Sequence, residues 1–398
     1  MTSSEPLIFL IAGEPSGDSI GGRLMAALRA RSGGRVRFAG IGGPAMTGAG
    51  LDSLFSMSEL AVMGVVEILP RAPELLRRMR ETAAAIRALG PAAVVSIDAP
   101  AFCFGVWRRL GNARIPLIHY VAPTVWAWRP GRARKYARTI DHLLALLPFE
   151  PPYFEREGLD CTFVGHPVLE SGADAANGAD FRARHRLGEA GPVLGVLPGS
   201  RRGEVSRLMP HFGAAVVLLA DRFPGLEVVI PAIPALVSEI EEVSRRWPVR
   251  SLVTSEVDAK FDAMAACDAA IAASGTVSLE LAMAGVPTVI GYRLNPVTMA
   301  LVRRMVRVKY VNLVNLLLDR PVIPELLQGD CRADTLVDAA ARLLGSESER
   351  NDQRAAFGAA LAMLSAGDIL PSDRAAGVIL DLIEEARHNG ATTMGKGS

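Results

Sequence analysis

Short apolar runs alternate with stretches of helical periodicity along most of the chain, and this alternation limits the fold more than any other feature. The first runs cover residues 7–12, 36–39, 93–97 and 116–121, and amphipathic stretches cover 21–31 and 74–89. Strands that alternate with helices are typical of a parallel sheet with crossover connections. The sequence therefore predicts an α/β fold.

The alternation occurs in two series. Around residues 174–191 it lapses into Ala, Gly, Asn and charged residues, which predicts a linker, and strands then recur at 193–197, 228–231, 250–254, 269–273 and 287–292. A chain of 398 residues is also longer than one hydrophobic core usually spans. We predict two Rossmann-like, doubly wound domains, 1–172 and 190–345, facing a central crevice, with an apolar-faced helix at about 365–390 packing back on the first.

Composition excludes several classes of protein. The 43 basic and 42 acidic residues leave a net charge of +1, which gives no reason to expect a nucleic-acid partner. The four cysteines are too far apart for a zinc knuckle or a redox pair, which indicates a reduced, cytoplasmic setting. Charge-free runs are too short for a membrane span, so any membrane contact is expected to be peripheral.

A turn with two glycines follows the first predicted strand. Gly13 and Gly17 would let the backbone approach a ligand, and Glu14, Ser16 and Asp18 would supply acceptors and a hydroxyl at the strand's carboxyl end. The alternative is a capped βα turn in which Ser16 or Asp18 satisfies helix N–H groups. The sequence leaves both interpretations open.

A second glycine cluster, residues 40–45, matches the letters of a dinucleotide-binding motif but not its structural context. It follows the second strand instead of the first, and Pro44 interrupts it. A nicotinamide dehydrogenase is therefore disfavoured.

Asp98 follows the apolar run at 93–97, at the edge of a parallel sheet where ligands bind. A carboxylate there is suited to accept a proton from an attacking hydroxyl as a general base. The alternative is an aspartate that caps the turn before Pro100.

Two segments of the first half are candidates for lipid contact. Tryptophan favours the membrane interface and arginine pairs with phosphate, while an apolar run with little charge can accept acyl chains. The candidate residues are Val62, Met63, Val66, Ile68, Leu69, Trp126, Trp128, Arg129 and Arg132. Burial in the core, or an exposed helix start beside one buried tryptophan, explains the same residues equally well.

The second half carries the pattern of an anion site. Ser200 and Arg201 follow the strand at 193–197, where a guanidinium suits a diphosphate. Ser274, Gly275 and Thr276 form a small-residue turn before a helix, whose free N–H groups attract anions. Glu280 lies one helical turn beyond Thr276, within reach of ribose hydroxyls, although an N-cap and an incidental first-turn acid remain the alternative.

No metal cofactor is expected. The sequence has no D-x-D triplet, and its six histidines lack metal-ligand spacing. Charge on a leaving group would then be stabilised by Arg201, the helix N-terminus and backbone donors.

Ten motifs in collinear order carry a family resemblance. They are AGEPSGD (12–18), GIGGPAM (40–46), ELAVMGVVEIL (59–69), SIDAPAF (96–102), HYVAPTVWAWR (119–129), LPFEPPYF (147–154), FVGHPVLE (163–170), LPGSRRGEV (197–205), ASGTVSLELA (273–282) and YVNLVNLL (310–317). With them the sequence resembles the lipid-A-disaccharide synthases of Gram-negative outer-membrane biogenesis.

The resemblance implies a GT-B glycosyltransferase at the cytoplasmic face of the inner membrane. Its donor would be UDP-2,3-diacylglucosamine, its acceptor 2,3-diacylglucosamine 1-phosphate (lipid X), and its products a β-1,6-linked tetraacyl disaccharide 1-phosphate and UDP. The family's essential aspartate falls on Asp98, and its uridine diphosphate site falls on Arg201, Ser274 to Thr276, Glu280 and Asn315. The chain departs from the family at Val314, where proline is common.

Two alternatives stay open at this stage, and a homodimer is compatible with either. The first is another UDP-sugar-using GT-B enzyme, either a UDP-N-acetylglucosamine 2-epimerase or a different UDP-sugar transferase, because the donor half cannot distinguish these enzymes. A catalytically silent lipid-binding protein would tolerate loss of Asp98 and Arg201, yet both are present.

Overall fold

Both series of strands form six-stranded, wholly parallel sheets in the computed structural model of the chain. The structure describes residues 5–60, 65–111, 113–127, 131–256, 259–295 and 308–394, with the backbone alone for 65–71 and 389–394. The α/β class predicted from the alternation is therefore confirmed. The chain divides into two compact units, Met1–Pro167 with Leu364–Ser398, and Val168–Met363.

The sheet of the first unit runs in the order β2-β1-β3-β4-β5-β6. Its strands are Leu7–Ala12 (β1), Arg37–Ile41 (β2), Ala93–Ile97 (β3), Leu117–Tyr120 (β4), His142–Ala145 (β5) and Asp160–Phe163 (β6). The helices between them are Pro15–Arg31 (α1), Pro44–Gly48 (α2), Val65–Leu89 (α3), Pro100–Leu110 (α4), Arg132–Ala137 (α5) and Pro151–Glu155 (α6). The strand order reverses between β1 and β3, which makes their carboxyl ends the topological switch point where such sheets bind ligands.

Side chains of β1 alternate between two buried clusters. Phe9 and Ile11 belong to the cluster on one face of the sheet, Ile8 and Leu10 to the cluster on the other, and all four are fully buried. A strand covered by helices on both faces must be apolar on both, which is why β1 is a continuous apolar run.

The sheet of the second unit runs in the order β12-β11-β10-β7-β8-β9. Its strands are Val193–Leu197 (β7), Glu227–Pro231 (β8), Arg250–Thr254 (β9), Ala269–Ala272 (β10), Thr288–Tyr292 (β11) and Glu325–Leu327 (β12). Its helices are Gly178–His185 (α7), Arg202–Arg222 (α8), Val237–Ser244 (α9), Lys260–Ala265 (α10), Val277–Met283 (α11), Leu313–Leu318 (α12), Ala333–Gly345 (α13) and Glu347–Met363 (α14). Here the switch point lies between β7 and β10.

The last helix, Pro371–Met394 (α15), returns to the first unit and packs along α1. Ile379 shares a buried cluster with Leu28 of α1. An ion pair joins the same two helices, with Arg31 Nε 2.7 Å from Asp373 Oδ1. One apolar face and one salt bridge thus attach the C-terminal helix.

The linker prediction for residues 174–191 is wrong in one respect, because this segment contains α7. Phe181 of α7 is fully buried, and the helix packs against α10. Arg182 adds a hydrogen bond from Nε to the Ala266 carbonyl at 2.7 Å and an ion pair with Asp268 at 2.9 Å. One buried aromatic ring and polar contacts from Asn177, Arg182 and Arg184 thus hold a helix that has no apolar periodicity in its sequence.

Candidate active site

A cavity of about 410 Å³ lies at the switch point of the second unit. The side chains and turns that follow β7 and β10 line it. Among the lining residues are six that were predicted to bind the donor nucleotide: Ser200, Arg201, Ser274, Gly275, Thr276 and Glu280. The topology thus brings together two motifs that are more than 70 positions apart.

Arg201 stands at the N-cap of the long helix α8, with an extended backbone. Its side chain is 57% exposed and its Nη1 lies 3.5 Å from Glu204 Oε1, so the pairing is weak. The Tyr292 hydroxyl donates to the same oxygen at 3.4 Å. Burial, followed by the charge of Glu204, raises the pKa of Tyr292, which keeps the phenol neutral. The guanidinium therefore remains available to an anion.

The turn after β10 depends on its glycine. Gly275 has φ +152°, and a Cβ placed there would meet no atom within 4 Å, so conformation and not space demands glycine. The Ser278 hydroxyl donates to the Gly275 carbonyl at 2.8 Å and fixes the turn. Gly275 and Thr276 are exposed at the cavity, as an anion site requires.

Glu280 has a partner that the motifs did not indicate. Lys260, the first residue of α10, places Nζ 2.7 Å from both carboxylate oxygens of Glu280. Both side chains line the cavity. The only sequence signal was that Lys260 is one of four lysines in a chain rich in arginine.

The ends of β8 and β9 supply a further wall that the sequence analysis missed. It consists of Pro231, Ala232, Ile233, Pro234, Thr254, Ser255 and Glu256. Small apolar groups and hydroxyls of this kind suit a flat, hydrogen-bonding ring. The wall could have been found by examining the carboxyl end of every predicted strand of the second series.

The structure does not place Asn315 among the residues that line the cavity, where it was predicted to contact the nucleotide. The residue is fully buried. Its Nδ2 donates to the Ile323 carbonyl at 2.8 Å and to Glu325 Oε1 at 2.9 Å, and its Oδ1 accepts from the Ile323 N–H at 2.8 Å. All of its donors are used, so Asn315 stabilises the loop before β12.

Asp98 lies at the switch point of the first unit in a strained backbone. Asp98 and Ala99 have φ values of +54° and +49°, and Val121 at the end of the neighbouring strand has φ +82°. Left-handed backbone is costly for Ala and unusual for a β-branched residue. The Asp98 N–H donates to the Tyr120 carbonyl at 3.0 Å, and the residue is half-buried. Strained backbone of this kind is concentrated at functional sites. Asp98 is therefore a candidate functional residue.

The carboxylate of Asp18, which was predicted among the acceptor-binding groups, is buried and bonded inside the protein. It is 4% exposed and accepts N–H bonds from Gly43, Ala45 and Met46 at 2.8, 2.9 and 3.0 Å. Asp18 therefore caps α2. This close approach also accounts for Gly43, where a Cβ would lie 2.7 Å from Asp18 Oδ2.

Close packing accounts for both glycines of the first turn. A Cβ on Gly13 would lie 2.5 Å from the Cβ of Ala99, and one on Gly17 would lie 3.2 Å from the Ile97 carbonyl. Both glycines thus let β1 and α1 approach the end of β3. Glu14 is half-buried and Ser16 exposed at this turn, and their contact with an acceptor stays a prediction.

Trp126 is half-buried and bonded through its polar edge, which differs from the predicted lipid contact. Its Nε1 donates to Glu150 Oε1 at 3.1 Å, and its ring meets Phe149 edge to face at 5.2 Å. Glu150 also accepts from the N–H groups of Leu146 and Leu147. Burial outweighs these three donors and raises the pKa of Glu150 to about 7. The indole therefore ties its loop to the turn after β5.

The other predicted lipid contacts are mostly untested. Val62, Met63, Trp128 and Arg129 lie outside the described residues, and Val66, Ile68 and Leu69 are described by the helical backbone of α3 alone. Arg132 begins α5 and is half-buried. Among the described helices, none has both the length and the apolar character needed to cross a bilayer.

Acidic, cysteine and histidine side chains do not cluster as metal ligands within the described part of the chain. No group of three or more of them is placed to hold an ion there. His119 and His166 are buried, which lowers the pKa of each, to about 3 and about 4. Independence of metal stays a prediction that an assay must test.

Comparisons with known proteins agree on family and fold. The family model described as lipid-A-disaccharide synthetase matches residues 8–365. The lipid-A-disaccharide synthase of Rhodospirillum centenum is 58% identical over 379 residues, which cover 95% of this chain and 94% of that protein.

Among solved structures, the UDP-N-acetylglucosamine 2-epimerase of Rickettsia bellii has a TM-score of 0.62 at 12% identity, and covers 95% of this chain and 97% of its own. The glycosyltransferase of kitacinnamycin has a TM-score of 0.61 at 15% identity, with 95% and 99% covered. At such low identity these likenesses concern the fold alone, and they confirm the predicted GT-B architecture.

Proposed function

The chain belongs to the lipid-A-disaccharide synthetase family of glycosyltransferases, and from that premise we propose its substrates, site residues and mechanism. The donor is UDP-2,3-diacylglucosamine and the acceptor is 2,3-diacylglucosamine 1-phosphate. The observation that carries the proposal is the cavity at β7 and β10, where Arg201 and the 274–276 turn meet.

The cavity supports a nucleoside diphosphate in three respects. Arg201 is exposed at an N-cap and only weakly paired, the 274–276 turn presents backbone donors, and Glu280 offers a carboxylate to a diol. The wall from β8 and β9 is suited to the uracil ring. We assign the diphosphate to Arg201 and Ser200, and the ribose to Glu280.

Asp98 is the proposed general base. It removes the proton from the acceptor's 6-hydroxyl as the oxygen attacks the anomeric carbon, and the bond from that carbon to UDP breaks on the opposite face. A single displacement of this kind inverts the configuration and gives the β-1,6 linkage. Strained backbone at Asp98, Ala99 and Val121 supports the assignment. Proton transfer thus falls to the first unit and nucleotide binding to the second.

The departing diphosphate needs compensation for the charge that it gains. Arg201 and the N–H groups at 274–276 supply it in the proposed mechanism, without a metal ion. We therefore expect turnover to be unchanged, within about twofold, when a chelator is added.

Acylated substrates require contact with the inner membrane, and the proposal places this contact, peripherally, at the cytoplasmic face. Arg132 remains a candidate for the lipid phosphate.

The test is to incubate the purified chain with both acylated sugars and a chelator, and to identify products by mass spectrometry. The proposal predicts UDP and a tetraacyl disaccharide 1-phosphate in equal amounts. Absence of both products would refute it. Interconversion of UDP-N-acetylglucosamine and its 2-epimer by the same preparation would favour the epimerase alternative.

A further inference from the structure

Among the described residues that line the cavity, Lys260 and Glu280 form the tightest ion pair. The Lys260 Nζ lies 2.7 Å from each Glu280 oxygen, whereas Arg201 and Glu204 are 3.5 Å apart. The side chains of Lys260 and Glu280 are 40% and 20% exposed, so solvent reaches the pair from the cavity only in part. A contact of this kind fixes the orientation of the carboxylate.

Both partners stand on elements that are anchored in the core. Ala263 and Met264 of α10 are buried, as are Leu279 and Leu281 of α11. The two helices also contact each other. The backbone of each partner is therefore fixed in the cavity wall by a buried face of its helix.

Charge makes this pairing necessary for the proposed ligand. The described lining carries three carboxylates, Glu204, Glu256 and Glu280, against two cations, Arg201 and Lys260. A diphosphate bound beside an unpaired Glu280 would be repelled. The ammonium neutralises that carboxylate and occupies about two of its four lone-pair positions, which leaves the others to accept hydroxyl protons.

We propose that Lys260 is a positioning residue, which holds Glu280 so that its free lone pairs bind the hydroxyls of a ribonucleotide. The inference rests on the proposed function and assigns the selectivity of the site for ribose over deoxyribose to the Lys260–Glu280 pair. Lys260 acts through Glu280 and does not contact the diphosphate.

Calorimetric binding of UDP, 2′-deoxy-UDP and 3′-deoxy-UDP to the full chain tests this assignment. The wild-type protein should prefer UDP over the more affected deoxy analogue by about 10- to 100-fold, the value of one hydrogen bond to a charged group. Lys260→Met should reduce that preference to less than about threefold. Lys260→Arg can still donate hydrogen bonds to both oxygens of Glu280, so it should restore most of the preference for ribose. Glu280→Gln should also lose the preference, and the double variant should lose no more.

Arg222→Met is the matched control, because it removes an exposed cation that pairs with Asp338 at 3.3 Å outside the cavity. It should retain the full preference for ribose. In steady-state assays Lys260→Met should raise the donor KM with little change in kcat, because the ribose is bound equally before and in the transition state.

The possible failures are distinct. If UDP does not bind the wild-type protein, the proposed function fails. If UDP binds and Lys260→Met keeps the wild-type preference for ribose, the positioning role is refuted. If Lys260→Met weakens all three nucleotides equally and weakens the Glu280→Gln variant further, Lys260 contacts the diphosphate directly, which also overturns the inference.

Discussion

At the scale of single residues, the proposed mechanism assigns the proton transfer to Asp98. Asp98→Asn keeps the size of the side chain but removes its ability to accept a proton, so kcat should fall by about 10²- to 10⁴-fold. Stopped assays of disaccharide formation under saturating donor measure this change. Wild-type turnover in the variant would remove Asp98 from the mechanism.

Variants at Arg201 and Asn315 should affect UDP binding and the stability of the fold separately. Arg201→Met should weaken UDP binding by about tenfold or more while the free energy of unfolding changes by less than about 0.5 kcal/mol, because the side chain is exposed. Asn315→Ala should leave UDP binding unchanged but lower the free energy of unfolding by about 1–3 kcal/mol, because the buried partners at Ile323 and Glu325 lose their hydrogen bonds. Calorimetry and urea unfolding of both variants check the pair. Weaker UDP binding by a stably folded Asn315→Ala variant would restore the asparagine to the site.

Residues that directly follow a strand could be predicted from the sequence to line the cavity, whereas the contacts of Asn315 and Lys260 could not, because they depend on partners elsewhere in the chain. Arg201 and Ser274 were predictable because their positions at strand ends fix where they point. The burial of Asn315 depends on Ile323 and Glu325, and the role of Lys260 depends on Glu280, 20 positions away. No local pattern encodes such partners.

At the scale of elements, the end of β3 stores strain that can be released. Left-handed backbone costs alanine about 1–2 kcal/mol, and the added flexibility of glycine in the unfolded chain costs about 0.5–1 kcal/mol. Ala99→Gly should therefore stabilise the protein by about 0.5–1 kcal/mol and lower kcat, because Asp98 is held less firmly. Urea unfolding and turnover are the measurements, and a less stable variant would show that the strain is not at Ala99.

The turn after β5 should make stability depend on pH through Glu150. Its pKa in the folded protein is about 7, above the usual value of 4.5 for an unfolded chain, so the folded state binds the extra proton between these values. Stability from this group is complete below about pH 4.5 and is lost as the pH rises through 7, on the order of 3 kcal/mol in all.

Unfolding free energies measured from pH 5 to 8 test that sign. Glu150→Gln cannot ionise, so its free energy of unfolding should vary less with pH than that of the wild-type protein. This holds even if the variant is less stable at every pH because its amide nitrogen faces the Trp126 N–H donor. An equally steep decline in the variant would assign the pH dependence to other groups.

At the scale of the whole molecule, alternation predicted two parallel sheets because strands buried on both faces must be apolar throughout. The helix α7 escaped prediction since Phe181 is its buried side chain and its other contacts with the second unit are polar. The strand order, which no local pattern contains, places the ends of β7 and β10 side by side and so creates the cavity.

A crystal structure of the protein with UDP tests the central claim most directly. The account predicts the diphosphate within hydrogen-bond distance of Arg201 and the 274–276 turn, and the ribose hydroxyls on Glu280. Nucleotide bound elsewhere, with the cavity at β7 and β10 still open, would contradict it.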